Sequence, residues 1–382
     1  MTEKYPVDSA SFRNIRERGF VYVDKTKFIQ KLTDNGTYYF LARPRRFGKS
    51  MFLDTLAEYF NGNRNLFKGL AIDTLHPQDW IKYPVLKFNL TGDSFLSPDA
   101  LNILLEGELR RQEDKYGITN KSTSVSDRFF DLIDQLSQKY EEKVVILIDE
   151  YDAPLASAID RPELQKIYRE QLQGFYSVLK KADNHVKFCM LTGVTRFGKV
   201  SVFSGLNNLN DITFDDEYAG ICGITKEELI SVYDSGIKAL ADKEGLSFDE
   251  TVQLLKFHYD GYHFSPAMLD IYNPFSINHA FAKKAIKDYW CMSGTPTLLA
   301  KTLMKNDFDI TKLDGLKVQE PELRDLSMYA ENPVPLFYQT GYLTLKSYDP
   351  KKQRFTLRYP NREVESSILR MYRERGGKEE KR

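Results

Sequence analysis

The run Lys143-Val144-Val145-Ile146-Leu147-Ile148-Asp149-Glu150 restricts this chain more than any other stretch. Its consecutive large aliphatics, most of them β-branched, leave no polar side to a strand. A strand of this kind is covered on both faces, as in a parallel sheet sandwiched by helices. Parallel strands need crossover connections, usually helical, so the expected class is α/β. The two carboxylates fall at the strand's C-terminal end, beside the crevice where doubly wound sheets hold ligands.

About a hundred residues earlier, the apolar run Tyr38-Tyr39-Phe40-Leu41-Ala42 leads into Arg43-Pro44-Arg45-Arg46-Phe47-Gly48-Lys49-Ser50, and a helix pattern follows from Met51 to Phe60. Strand, basic turn closing on Gly-Lys-Ser, then helix is the layout of a phosphate-binding loop. Backbone N–H groups from Arg45, Arg46, Phe47, Gly48 and the first helical residues through Met51 would face an anion. Lys49 would neutralise β/γ-phosphate charge, and the Ser50 hydroxyl would ligate Mg²⁺. The usual loop opens with Gly, whereas position 43 is Arg. A lone Gly-Lys-Ser is common by chance, and a strand ending in Asp-Glu can merely begin a loop. Together they point to a nucleotide site. Asp149 would hold Mg²⁺ through water opposite Ser50, and Glu150 would orient or deprotonate the attacking water.

At 382 residues the chain suggests two domains. Lys plus Arg and Asp plus Glu balance at 54 each, so no global field draws it to nucleic acid or to a membrane. Cys189, Cys222 and Cys291 are too few and too scattered for a disulfide framework or a Cys/His metal set, which fits a reducing cytoplasm. The sequence has neither a signal-peptide core nor an apolar stretch of about 18 residues.

Strand and helix patterns alternate through the first 222 residues. Strands are expected at Val85–Leu90, Lys143–Ile148, Lys187–Thr192 and, more briefly, Asp211–Phe214. Helices are expected from Ser97 to about Tyr116, from Ser124 to about Tyr140 (a capping-box spacing to Asp127), and from Pro162 to about Ala182. From 223 to 382 the character changes. Thr225/Glu228 and Ser247/Glu250 open helical stretches, and Asp260–Pro274 interrupts a mainly helical segment reaching about Lys305. Gly341–Lys346 and Arg354–Tyr359 alternate about Asp349-Pro350-Lys351-Lys352, a hairpin signature. Helices followed by such a wing suggest a winged-helix-like lid, with a charged tail from Arg370 that frays. The expected domains are therefore 1–222 and 223–382.

Several stretches together resemble the AAA-ATPase-like family of bacterial proteins, a branch of the P-loop NTPases with extra strands between the two nucleotide motifs, Walker A and Walker B. They are Phe12–Arg16 with Tyr22–Thr26, the loop Arg43–Ser50, Ile148-Asp149-Glu150-Tyr151-Asp152-Ala153-Pro154-Leu155, and Leu191–Phe197. Phe203–Leu209, Tyr259–Pro266, Tyr272–Ser276 and Tyr338–Leu343 complete the set in the family's order. The resemblance makes Arg the usual residue at position 43. It implies ATP and Mg²⁺ as ligands and ATP hydrolysis driving a conformational switch. Relatives commonly continue into a PD-(D/E)XK nuclease domain. Here Glu379-Glu380-Lys381 formally spells E-x-K without a surrounding strand pattern, so no nuclease activity is expected.

Other residues carry two readings each. Thr192 and Thr195 follow a strand that should lie beside the Asp149 strand; they either touch the attacking water or γ-phosphate, as the family's sensor 1 does, or cap a turn. Arg196 would reach the γ-phosphate in cis, act as a finger in a neighbouring copy of a homo-oligomer, or be an exposed, ion-paired arginine. Arg45 and Arg46 would stabilise phosphate charge or bind acidic partners. Phe12 and Ile15 lie where related ATPases cradle adenine, or they pack on the sheet. Asp24 reads as a helix N-cap, and His258 and His263 as solvated or hydrogen-bonded rather than metal-binding. The aromatics around Tyr259–Trp290 read as lid core rather than a base-stacking surface. The Asn/Thr-Lys-x-Asp pattern of guanine-specific GTPases is absent, which favours ATP. The competing function is a non-catalytic module with structural nucleotide, whose winged-helix-like part binds DNA or protein.

Overall fold

Strands β1 (Tyr38–Ala42), β2 (Val85–Asn89), β3 (Val144–Asp149), β4 (Val186–Gly193) and β5 (Asn210–Asp211) form a single sheet in the order β2-β3-β4-β1-β5. All its pairings are parallel. The computed structural model describes residues 3–75, 80–92, 95–197, 202–203, 206, 208–293, 299, 312–324, 326 and 332–379. By packing, these divide into two units: Asp24–Ala42 with Lys49–Ile212, and Met1–Val23 with Arg43–Gly48 and Thr213–Arg382. The division at 222 expected from sequence thus differs in two ways. The break comes earlier, and two N-terminal segments group with the C-terminal residues.

The first unit is the expected α/β sandwich. Every residue of β1 and β3 is buried, as their unbroken apolar runs require. Helices Lys49–Phe60, Ala100–Tyr116, Val125–Tyr140 and Pro162–Lys181 supply the crossovers. Ser124 starts one of them by accepting from Asp127 N–H, and Gly117 ends another in the left-handed region. Between sheet and helices, Phe129 stacks on Phe175 with ring centroids 4.4 Å apart, and Phe88 meets both edge-on. β5 is shorter than expected. After Ile212 N–H bonds the Phe40 carbonyl, Thr213 and Phe214 leave the sheet. Thr213 O is taken by Arg43, and the Phe214 ring packs on Tyr338 and Phe355. Asp24 is also corrected. It precedes the helix Lys27–Asn35 by too much to cap it; instead its Oδ1 holds Thr26 N–H and its Oδ2 holds Ala71 N–H, at the start of the helix Ala71–Leu75.

The second unit is helical with a small antiparallel sheet. Thr225 with Glu228, and Ser247 with Glu250, form reciprocal capping boxes that open Lys226–Val232 and Phe248–Tyr259. Helices Asp234–Glu244 and Pro274–Lys283 join them around Tyr233, Ile237, Leu240, Leu255, Tyr259 and Phe281. The expected hairpin is present as β7 (Thr344–Asp349) and β8 (Arg354–Arg358). A third strand, β6 (Lys317–Gln319), pairs with β8; with Val318 as its one buried residue it gives no pattern to read in the sequence. The tail from Arg370, expected to fray, continues the helix Arg362–Glu379, whose N-terminal part is fixed by buried Val364 and Ile368 and by an Arg370–Asp288 ion pair. The stretch expected to be helical to about 305, the motif residues 204, 205 and 207, and the last two residues of E-x-K lie partly or wholly outside the described residues. Among the described residues no helix is long and apolar enough to cross a membrane.

Candidate functional site

Register decides which strand ends meet. Leu41 and Ala42 of β1 pair with Thr192 and Gly193 of β4, Ile148 of β3 pairs with Leu191, and Asn89 of β2 pairs with Asp149. The carboxyl ends of β1, β4, β3 and β2 therefore share one edge. The helix Lys49–Phe60 packs on β3 and β4. Its first residue, Lys49, is 3% exposed, while Ser50 and Met51 are half-buried.

Asp149 is 6% exposed, and both of its hydrogen bonds fall on one oxygen: Oδ1 accepts from Thr192 Oγ1 at 2.6 Å and from Glu150 N–H at 3.1 Å. Among the described residues Oδ2 has no hydrogen-bond partner. Thr192 is thus brought to the acidic strand end. The next turn is locked to the exit of β4. Tyr151 N–H bonds Thr192 O, the Tyr151 phenol donates to Thr195 O, and Asp152 accepts from Val194 N–H, Thr195 N–H and the Thr195 hydroxyl. Glu150, half-buried, sits in this turn at φ 52°, a left-handed conformation uncommon for a non-glycine residue. Gly193 is required here, because a Cβ would lie 2.5 Å from Asp152 Oδ1 and 2.6 Å from the Tyr151 ring.

Asp152 had no role in the sequence reading, and nothing beyond its place in the Asp-Glu-Tyr-Asp run marked it. It is 1% exposed. Burial pushes its carboxyl up, while the Thr195 hydrogen bonds and the Lys49 charge pull it down. It ties Thr195 into the turn, so Thr195 is held as a structural link. Arg196, the candidate finger, is ion-paired with Asp211, but both side chains are buried rather than exposed as expected.

The turn Arg43–Gly48 groups with the C-terminal unit. Arg46 has φ 68° and Gly48 φ 95°, so left-handed residues alternate along the turn, the geometry of an anion-binding nest. The turn at Arg45-Arg46 is closed by a hydrogen bond, and among the described residues the N–H groups of Arg46 and Gly48 make none. The Phe47 ring is fully buried, meeting Tyr262 at 4.7 Å and Phe264 at 5.4 Å, so it is packed away from a ligand. The Arg45 and Arg46 side chains are exposed, with the Arg46 guanidinium 4.9 Å from the Phe275 ring. Ile15 and Phe12 are core residues of the helix Phe12–Arg18, consistent with the packing reading. His263 is buried and bonds Leu345 O and Asp270, the hydrogen-bonded of the two alternatives. Tyr259, Tyr262, Phe264, Tyr272 and Trp290 are buried, as expected of core.

The donors fit Mg²⁺ carried by a nucleotide. A hydroxyl at Ser50 and a carboxylate oxygen at Asp149 are hard oxygen ligands. Among the described residues no group of three or more His, Cys, Asp or Glu could hold a metal by itself, so phosphate oxygens would complete the sphere.

A parallel sheet with β4 between the loop strand and the acidic strand, a Gly-Lys-Ser helix start and a terminal Asp-Glu define a P-loop NTPase. The family model for AAA-ATPase-like proteins, described as predicted AAA-ATPases, matches residues 6–203. The chain belongs to this AAA-ATPase-like family, and at that level it is a nucleotide-binding ATPase. It is 38% identical over 371 residues to an uncharacterized protein in the vnfD 5′ region of Azotobacter chroococcum mcd 1, spanning 96% of this chain and 69% of that protein. A solved structure of the Aeropyrum pernix ORC2 protein covers 97% of this chain and 96% of its own at 10% identity and a TM-score of 0.29. At that score the likeness adds nothing to the strand order.

Proposed function

We propose that this protein binds Mg²⁺-ATP at the carboxyl edge of β1, β4 and β3 and hydrolyses it to drive a conformational switch. The loop amides and Lys49 hold the phosphates, Ser50 and Asp149 hold Mg²⁺, and Glu150 orients the attacking water and takes its proton. Thr192 fixes the Asp149 carboxylate. Mg²⁺, when bound, offsets charge on the β/γ-phosphate oxygens. The output is a change in the C-terminal unit, passed to a protein or DNA partner.

One observation carries this reading: Thr192 and Asp149 are hydrogen-bonded at the sheet edge where β1 ends and the loop to Lys49 begins. The Asp149 oxygen left over, Oδ2, supports the metal role. Lys49→Ala should abolish binding of labelled ATP. Glu150→Gln should keep binding and stop phosphate release, which loses at least a hundredfold when the residue handling the proton is removed. Wild-type turnover in both variants would refute the proposal. Binding without turnover, with or without DNA, would leave a non-catalytic module.

A further inference from the structure

The phosphate-binding loop is held from outside by donors that take its carbonyls. Trp290 donates its indole N–H to Arg45 O at 3.0 Å, and Gly223 donates its backbone N–H to Phe47 O at 3.0 Å. Among the described residues every peptide bond is trans, so in each of these peptides the N–H points opposite to the carbonyl. Pinning Arg45 O therefore aims the Arg46 N–H away from Trp290, and pinning Phe47 O aims the Gly48 N–H away from Gly223. These are amides that make no hydrogen bond among the described residues.

The rest of the turn is braced in the same way. Arg43, 1% exposed, donates to Thr213 O at 2.8 Å and Tyr218 O at 3.3 Å, and its guanidinium lies 4.3 Å from the Phe264 ring centre. Pro44 fits against Gly341, where a Cβ would approach within 2.8 Å. Trp290 is 5% exposed and fixed in turn, since its backbone N–H bonds Glu363 Oε1 at 2.6 Å. Trp290, Glu363, Gly223 and the turn all belong to the same packed unit.

We propose that Trp290 is a positioning residue for the nucleotide: its indole N–H sets the Arg45–Arg46 peptide so that the loop amides face the phosphates. This rests on the Mg²⁺-ATP reading of the loop. It adds that the C-terminal unit preorganises the anion site through a tryptophan that touches no nucleotide atom. Preorganised amides raise affinity because the ligand need not order them.

The chain has two tryptophans, Trp80 and Trp290, so Trp80→Phe leaves Trp290 as the only indole reporter. In that variant, Mg²⁺ with a non-hydrolysable ATP analogue should shift or quench the Trp290 emission. Trp290→Phe keeps an aromatic ring and loses the donor. Its affinity for labelled ATP and ADP, measured by equilibrium dialysis, should fall about tenfold for each, the worth of one such hydrogen bond.

If labelled nucleotide binds wild type but Trp290→Phe, folded by circular dichroism, binds it equally well, the positioning role is overturned and the nucleotide site stands. If Trp290→Phe does not fold, the emission decides, and an unmoved Trp290 signal at saturating nucleotide overturns the role. If wild type binds no labelled nucleotide, the ATP reading fails and this inference falls with it.

Discussion

Replacing Thr192 by Val tests the site at its most buried polar contact. Valine keeps the branched shape and removes only the hydroxyl that donates to Asp149 Oδ1 at 2.6 Å, so no cavity forms. Thr192 is fully buried and its acceptor is a carboxylate, which puts the bond among the stronger class, about 1.5–3 kcal/mol. Oδ1 keeps the Glu150 N–H. The loss is then partial, about 2 kcal/mol, or a fall in melting temperature of about 4–8 °C for a unit of this size. The functional effect should be separate from the thermal one. A metal-holding carboxylate that loses the group orienting it commonly loses ten- to a hundredfold in metal affinity or activity. Steady-state phosphate release, titrated with Mg²⁺, should show that loss while labelled ATP still binds. Thr192→Ser retains the hydroxyl and should recover most of it. The reasoning is refuted if Thr192→Val melts with wild type and turns over at the wild-type rate with the same Mg²⁺ dependence.

Gly193→Ala should destabilise the sheet edge by about 1–3 kcal/mol, read by denaturant titration, because its methyl would overlap Asp152 and Tyr151, both buried. Glu363 is buried, and that burial pushes its carboxyl from the ordinary 4.5 up to about 8, against hydrogen bonds from Ser276 and the Trp290 N–H. The folded state keeps this proton where the unfolded chain has released it, so this group's contribution to stability falls as pH rises through that window and is level above it. Glu363→Gln should flatten that part of the stability–pH profile, and a variant profile parallel to wild type would refute the assignment.

Much of the fold was legible because its signals are local. Val144–Ile148 could only be a strand covered on both faces, and it pairs in parallel on both sides. Thr225/Glu228 and Ser247/Glu250 have capping-box spacing, and each closes as a reciprocal pair. Asp211–Phe214 was misread because its apolar pattern does not reveal that Arg43 and the Tyr338–Phe355 region take Thr213 and Phe214 out of the sheet. Asp24 has the composition of a cap, but the helix it serves starts at Ala71, a partner that spacing does not name.

Sequence by itself determined the chemistry available here: an ammonium and a hydroxyl at the start of one helix, two carboxylates at the end of one strand, and the glycine between loop and helix. Those are properties of residue type and of neighbours within a few positions. Tertiary structure decided which of them meet. Strand register brought Thr192 to Asp149, burial turned Asp152 and Arg196 into structural ties, and packing assigned the phosphate loop to the unit that carries Trp290. The reason is physical: a hydrogen bond or ion pair between residues far apart in the chain depends on distance in space, and side-chain pattern encodes only the faces that make such distances short.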